Sequence, residues 1–351
     1  MTLEFQIGTK KLGPGNPAFV VAEISGNHGG RLERALEIVR AAKRAGADAV
    51  KLQTYTADTI TLRSSRDDFL LPDSSPWVVE SSLHQLYAKA HTPWEWHALL
   101  FEEAKRQDII IFSSPFDESA VDLLEQLQVP AYKIASPEIT HIPLIRRVAR
   151  TGKPVILSTG ISELADVELA VETLRNEGAR QILLLKCTTA YPAPPTESNL
   201  RTITDIIKRF GVLSGLSDHS IGSVNAITAV VLGGSLIEKH FMLDDDVETV
   251  DSFFSSSESE FRKMVLDIRQ AESSLGKVSY DIVPSAQSSL RGRRSLYVAA
   301  SIKASETFTA DNIKCVRPSF GLHPKHYHEI LGRTAVCDLE YGDRLTWDVI
   351  A

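Results

Sequence analysis

The chain has 351 residues, 43% of them hydrophobic, and carries 38 Lys and Arg against 45 Asp and Glu, a net charge of −7. That length suits one large domain plus a small one, and the acidic balance removes any global attraction to nucleic acid or an anionic membrane, so an anion must be held by a local site. No apolar run approaches the roughly 20 residues of a spanning helix and the first ten residues lack a signal-peptide core. Three cysteines (Cys187, Cys315, Cys337), without CxxC spacing, argue against a disulfide framework or a cysteine zinc site and fit a reducing cytoplasm.

Eight short apolar runs alternate with amphipathic stretches. They begin at Phe19 (FVVAEIS), Ala49 (AVKLQTY), Ile109 (IIIFSSPF), Ala131 (AYKIAS), Val155 (VILSTG), Gln181 (QILLLKCT), Leu213 (LSGLSDH) and Leu236 (LIEKHFM). Their starts lie 22 to 60 residues apart, the spacing of βα units and not of hairpins. Leu32, Ala35, Val39 and Ala42 recur at helical period before Gly46, a helix stop. Thr92-Pro93-Trp94-Glu95 predicts a capping box and a helix to about Gln107, and Ser162 predicts a further cap. The units span 257 residues from Phe19 to Leu275, near the roughly 250 of a (β/α)8 TIM barrel. A doubly wound α/β sheet is the second choice.

In a barrel the catalytic residues sit at the C-terminal ends of the strands, so the long interval after the second run puts an insertion, Thr56 to His91, on the reactive face. It carries Pro72, Asp73, Ser74, Ser75, Pro76 and Trp77, and reads either as a substrate-covering segment or as a surface excursion. Residues 1–275 form the expected barrel, 276–290 a linker, and 291–351, with the β-like pieces SLYVAASI and TAVCDL, a second small domain.

Strand parity sharpens the chemistry. Glu23 and Ser25, Lys51 and Gln53, Ser217 and His219, and Glu238 and His240 each lie two apart, so each pair can face the barrel axis while Val50 and Leu52 face the helices. Lys51 and Lys133 stand inside strands, as does Lys186, and Ser114, Ser136, Ser158, Thr189 and Ser217 end five of them. Two ammonium groups among hydroxyl donors suit a small multiply charged anion such as a phosphate ester with a carboxylate. The alternative is that each lysine is an internal ion-pair partner of Glu23, Glu138 or Glu238, since buried charges demand counter-ions. His219 and His240 end consecutive strands. With water and substrate oxygens they could hold a divalent ion such as Mn²⁺ or Mg²⁺, or they could be core histidines or an acid/base pair. The remaining histidines default to structural or solvated roles, Arg291, Arg293 and Arg294 to a solvated or interdomain contact, and Asp244 to Asp246 to a solvated loop. Asp251 is better placed to reach a polar ligand.

The segments AEISGNHGG (22–30), KLQTYTAD (51–58), FSSPF (112–116), AYKIASPE (131–138), ILSTGI (156–161), KCTTAYP (186–192), GLSDHS (215–220) and EKHFML (238–243) resemble, in order, the signatures of the sialic acid synthase family. VRPSFGLHP (316–324) resembles the antifreeze-protein-like (SAF, β-clip) domain fused to those enzymes. Within the family, KCTTAYP and the SFGLHP after Arg317 look like the pseudaminic acid branch; Thr189 stands where sialic acid synthases usually carry Asn.

The resemblance implies a cytoplasmic, homodimeric enzyme that condenses phosphoenolpyruvate with 2,4-diacetamido-2,4,6-trideoxy-L-altrose, N-acetylneuraminate and legionaminic acid synthases being the near alternatives. It implies that Lys51, Ser114, Lys133, Ser136, Ser158, Thr189 and Ser217 bind phosphoenolpyruvate. His219 and His240 would ligate a divalent metal, Mn²⁺ ahead of Mg²⁺ or Co²⁺, and Glu23 would handle protons. Gln53, Glu138, Tyr191, Glu238 and Asp251 look like sugar contacts. In relatives the small domain caps the partner's active site, with an arginine matching Arg317 reaching the acetamido group; Phe320 would pack on the deoxy-sugar methyl or the second acetamido group. A Schiff-base lysine aldolase using Lys51 or Lys133, and a non-catalytic sugar-binding protein, are the competing readings from other classes.

Overall fold

A computed structural model of the chain describes residues 4–72, 75–77, 80–245 and 247–351; Asp73, Ser74 and Asp246, named above, lie outside them. The chain divides into two compact units, Met1–Gly276 and Lys277–Ala351.

The first unit is a closed parallel barrel, so the doubly wound alternative falls. Its strands are β1 (Phe19–Glu23), β2 (Ala49–Thr54), β3 (Ile110–Pro115), β4 (Tyr132–Ile134), β5 (Val155–Ser158), β6 (Ile182–Cys187), β7 (Leu213–Asp218) and β8 (Leu236–His240), and β8 closes onto β1. Each is followed by its helix: α1 (Leu32–Arg44), α2 (His97–Arg106), α3 (Glu118–Gln126), α4 (Ile142–Ala149), α5 (Leu164–Asn176), α6 (Thr202–Phe210), α7 (Val224–Val231) and α8 (Glu258–Leu275).

Side-chain alternation sorts every strand into two faces. Val20, Ala22, Val50, Leu52 and Ile237 pack outward against Ala35, Ile38, Val39 and Ala42 of α1 and Phe261 and Met264 of α8. Residues of the opposite parity, Phe19, Val21, Ala49, Phe112, Ala131, Ile156, Leu183, Leu213 and Leu236, fill the axis with an apolar floor. Complete burial of a side chain such as Phe112 contributes about 1.5–3 kcal/mol. Gly215 belongs to this inward set. A Cβ there would lie 2.1 Å from the Leu236 carbonyl oxygen and 2.9 Å from Leu185, so the strand ladder closes only around a glycine.

The sequence reading began at Phe19 and missed a hairpin before it. Phe5–Ile7 pairs antiparallel with Lys10–Leu12, and Phe5, Ile7 and Leu12 join the apolar floor, closing the N-terminal end of the barrel. Three-residue strands are too short to register as a period.

Two expected caps are corrected. Thr92 does not cap α2: its hydroxyl meets His28 Nε2 at 3.3 Å, and the chain enters α2 through a 3₁₀ turn, Trp94–Trp96, without a side-chain cap. Glu163, not Ser162, precedes α5 and forms a reciprocal capping box with Asp166. The stop at Gly46 holds: α1 ends at Arg44 and Gly46 takes φ +88°.

His28 and His97 are fully buried. His97 Nε2 meets the Thr54 hydroxyl at 2.9 Å, tying α2 to the end of β2. Burial, with the His91 charge adding to it for His28, pushes both imidazoles down to about 4, so both are neutral in the folded protein. The unfolded chain takes up their protons below about pH 6.5. Stability is therefore complete above that pH and falls as pH drops toward 4, by on the order of 3 kcal/mol per histidine. Urea melts at pH 7 and pH 4.5 check this; equal midpoints would contradict it.

The second unit begins with an irregular stretch and then 3₁₀ turns over Pro284–Gly292. Strands β9 (Ser295–Val298) and β10 (Ile313–Val316) pair antiparallel over a core that includes Leu296, Ile302, Phe308, Ile313, Leu339 and Leu345. TAVCDL contributes isolated bridges, Thr307 to Thr334 and Ala335 to Ile350, and no full strand. The basic run is exposed, as expected, with the Arg291 guanidinium 5.9 Å from the Phe320 ring centre and Arg294 donating to the Cys315 carbonyl at 2.8 Å.

Candidate active site

Above the apolar floor, the next inward residue is polar on seven strands, and on β6 it is Cys187, whose Sγ lies 3.9 Å from His219 Nδ1. Ladder register sets Glu23 beside Lys51 and His240 beside Glu23, Gln53 beside Ser114, and Glu238 beside Ser217. Lys51 Nζ lies 2.5 Å from Glu23 Oε2, 3.5 Å from Glu238 Oε1 and 3.2 Å from Ser114 Oγ. Lys133 Nζ lies 3.1 Å from the same Glu238 oxygen, to which the Ser217 hydroxyl also donates at 3.4 Å. All six side chains are buried, and the internal ion-pair alternative describes this arrangement.

The charges tune one another. Burial pushes the Glu23 carboxyl above its ordinary value, with Lys51 opposing. Burial would raise Glu238 as well, but Lys133 and Lys51 outweigh it and hold that carboxyl below the usual range. Burial disfavours the Lys51 ammonium, yet Glu23 and Glu238 overcome it and keep Lys51 above its ordinary value.

The hydroxyls complete a cradle. Ser136 Oγ accepts from Gly160 N–H at 3.0 Å, and a Cβ on Gly160 would fall 2.0 Å from Thr189 Oγ1, so this glycine opens the space in which Ser136 and Thr189 face each other. Ser158 Oγ, Glu138 Oε2 and Glu238 Oε2 are buried without a hydrogen-bond partner among the described residues. Water or a ligand would satisfy them. Burial raises Glu138 to about 7, with Lys133 pulling the other way.

One pleat further out stand the imidazoles. His219 and His240 have ring centres 5.4 Å apart. His219 Nδ1 meets the Thr188 carbonyl at 2.9 Å, which fixes that nitrogen as the donor, and His240 Nδ1 meets Ser25 Oγ at 3.1 Å. Both Nε2 atoms lack a hydrogen-bond partner among the described residues. Two imidazoles so oriented fit a divalent ion completed by water or substrate oxygens. Among the described residues no group of three or more His, Cys, Asp or Glu side chains converges as a closed protein cage would require.

The ring of Tyr191 lies 4.5 Å from His219, and that of Phe254 4.6 Å from His240. Trp77 of the insertion packs on Tyr191 at 5.5 Å and donates its indole N–H to the Val250 carbonyl at 2.8 Å, so part of the insertion lies over this wall. Asp251 is half-buried and accepts from Gly26 N–H at 3.1 Å. Gln53, half-buried, follows Lys51 on the inward face.

Lys186 is not part of the site. It has the outward parity of Leu184, and its Nζ donates to the Cys187 carbonyl at 2.7 Å. Asp245 is not a loose loop residue: it pairs with Arg34, whose Nη2 donates at 2.8 Å. Arg317 and Phe320 belong to the second unit, where both are exposed. Phe254 escaped the residue-level reading, although it stands three residues after Asp251; Trp77 was expected only as part of the insertion.

A barrel with two lysines, a set of hydroxyls and two imidazoles at its C-terminal mouth can hold a small anion beside a divalent ion. This chain belongs to the NeuB family, whose profile matches residues 38–280, and residues 293–351 match the SAF domain. It is 45% identical over 327 residues to the pseudaminic acid synthase of Campylobacter jejuni subsp. jejuni (strain 81-176), covering 93% of this chain and 95% of that relative. The pseudaminic acid synthase of Helicobacter pylori is likewise 45% identical, over 335 residues, 95% of this chain and 98% of the relative. Among solved structures, the spore coat polysaccharide biosynthesis protein SpsE of Bacillus subtilis superposes with a TM-score of 0.68 at 35% identity, covering 99% of both chains.

Proposed function

We propose that this protein condenses phosphoenolpyruvate with 2,4-diacetamido-2,4,6-trideoxy-L-altrose to give pseudaminic acid and phosphate. The observation that carries the reading is the convergence of Lys51 and Lys133 on Glu238 beside the hydroxyls of Ser114 and Ser217, which open towards His219 and His240 on the same strands, with Ser136 and Thr189 facing each other across Gly160. The likeness to two pseudaminic acid synthases supports the choice of sugar.

In this reading the two ammonium groups bind the phosphate and carboxylate of the enol ester, exchanging part of their pairing with Glu23 and Glu238, and the hydroxyls orient it. His219 and His240 are the residues that would hold a divalent ion, Mn²⁺ in preference to Mg²⁺ or Co²⁺. Such an ion withdraws electrons from a carbonyl oxygen and makes its carbon electrophilic. Gln53, Glu138, Tyr191, Glu238 and Asp251 position the open-chain sugar. Carbon 3 of the enol ester attacks the aldehyde carbon, Glu23 supplies a proton to the developing alkoxide, water adds at carbon 2, and phosphate leaves by C–O cleavage. Enol esters are weak nucleophiles, so alignment of the two substrates supplies much of the acceleration.

A lysine aldolase needs an amine with a lowered pKa, and Glu23 and Glu238 drive Lys51 the other way. The active assembly in this proposal is a homodimer in which the small domain of one copy caps the barrel of the other, bringing Arg317 and Phe320 to the sugar. Val278 at 92% and Tyr280 at 99% exposure give the intervening stretch apolar surface for such a contact. Among the described residues no helix is long and apolar enough to cross a membrane, and the three cysteines are free thiols, in keeping with a cytoplasmic enzyme.

The test is a substrate panel of N-acetylmannosamine, the diacetamido mannose analogue and the altrose analogue, each scored by phosphate release from phosphoenolpyruvate. Release with the altrose analogue at the highest kcat/KM is the expected result. Preference for either mannose analogue would reassign the sugar, and release with none would remove the condensation itself.

A further inference from the structure

A second buried ion pair lies on the other side of the barrel wall from the site. Lys239 Nζ lies 2.7 Å from Asp218 Oδ2, and both residues are almost fully buried. Lys239 also donates to the Ser220 carbonyl, while Asp218 Oδ1 accepts from Ser220 N–H at 3.0 Å and from its hydroxyl at 2.6 Å. Asp218 and Lys239 are register partners on neighbouring strands β7 and β8. Each immediately precedes one of the two imidazoles, His219 and His240, which alternation turns to the opposite, inward face.

Nothing in the condensation uses these charges, and desolvating an ion pair is costly. A packed apolar pair would hold two strands together at least as well. What the charges add is direction. The ammonium ties the residue before His240 to the residues on both sides of His219, Asp218 and Ser220, so the turn carrying His219 cannot shift along β8. Thr188, the residue after β6, meanwhile fixes the His219 ring.

We infer that Asp218, Lys239 and Ser220 are positioning residues that set the separation of the two imidazoles and hence the affinity of the site for a divalent ion. The inference rests on the reading of His219 and His240 as metal ligands. Outer groups that orient ligands typically govern 10–100-fold in metal affinity.

The test uses full-length, metal-stripped protein titrated with Mn²⁺ alone, bound ion being read from loss of the free-ion EPR signal, with phosphoenolpyruvate binding measured separately by calorimetry. Removing one charge leaves its partner buried and uncompensated, so the main variant is the double Asp218→Asn/Lys239→Met, which removes both. The expected result is about 10–100-fold weaker Mn²⁺ binding with the phosphoenolpyruvate dissociation constant within about twofold of the parent. A merely structural role would weaken both ligands together or neither, and either pattern overturns the inference. Should the double variant fail to fold, Ser220→Ala keeps the ion pair and removes one anchor of Asp218. An approximately threefold loss of Mn²⁺ affinity at an unchanged melting temperature is then expected, and no loss rejects the idea. His219→Ala separates the two levels. Parent-like Mn²⁺ binding in that variant overturns the ligand reading and this inference with it, whereas Mn²⁺ binding lost there but kept in the double variant overturns the inference alone.

Discussion

His219→Ala is expected to lower turnover at least about a thousandfold while costing no more than about 1–2 kcal/mol of stability. The asymmetry follows from the side chain's surroundings. Its one backbone hydrogen bond, to the Thr188 carbonyl, and its packing on Tyr191 are local, and the polar end of the barrel around it is held by separate ion pairs. On the reactive side, one imidazole cannot keep the electrophilic activation that two would provide. Steady-state phosphate release with saturating Mn²⁺, beside a thermal melt, measures both quantities. Near-parental activity in a folded variant would remove the metal assignment, and collapse of the fold would show the residue to be structural.

Lys133→Met is expected to reduce kcat/KM for phosphoenolpyruvate by about 10²–10³, the scale of losing one fixed charge that stabilises a developing anion. Methionine keeps the length of the buried stem, so packing changes little. Stability should respond to pH in a definite sense. Burial opposes the Glu238 carboxylate, but Lys133 and Lys51 hold its pKa below the ordinary 4.5. Glu238 therefore contributes stability above that pH, which is lost as pH falls through its folded value. Without Lys133 the contribution shrinks, so parent and variant should differ most above pH 4.5 and converge in acid. Urea melts at pH 7 and pH 3.5 check the sign. A deficit that grows in acid would mean that Glu238 is not the partner that matters.

Spacing disclosed the parallel sheet, because apolar runs such as VILSTG and QILLLKCT are strands buried on both faces and recur at βα intervals; the span of eight units then favoured a barrel over a doubly wound sheet. Parity within a strand was equally legible. Once Lys51 and Gln53 were assigned one face and Val50 and Leu52 the other, the inward positions of Glu23, His219 and His240 followed. Contacts between segments distant in the chain were not legible. Thr92 and Ser162 looked like caps because cap chemistry is local, and each was displaced by a longer-range packing demand or a neighbouring residue. Lys186 stood in a strand like Lys51 and Lys133, but its odd offset from Cys187 sends it outward. Whether a buried lysine meets one carboxylate or two depends on ladder register across eight strands, and no single segment contains that information.

The hairpin beneath the floor makes the barrel a blind alley. With Phe5, Ile7 and Leu12 stoppering one end, the polar residues open only towards the mouth, where Glu238 and Ser217 precede His240 and His219 by two residues of strand. On the proposed function, traffic in such a cul-de-sac is last in, first out: a molecule held on Lys51 and Lys133 would arrive before one held at His219 and His240. Initial-rate kinetics should accordingly show a compulsory sequence, and a random one would mean that a second passage through the wall exists.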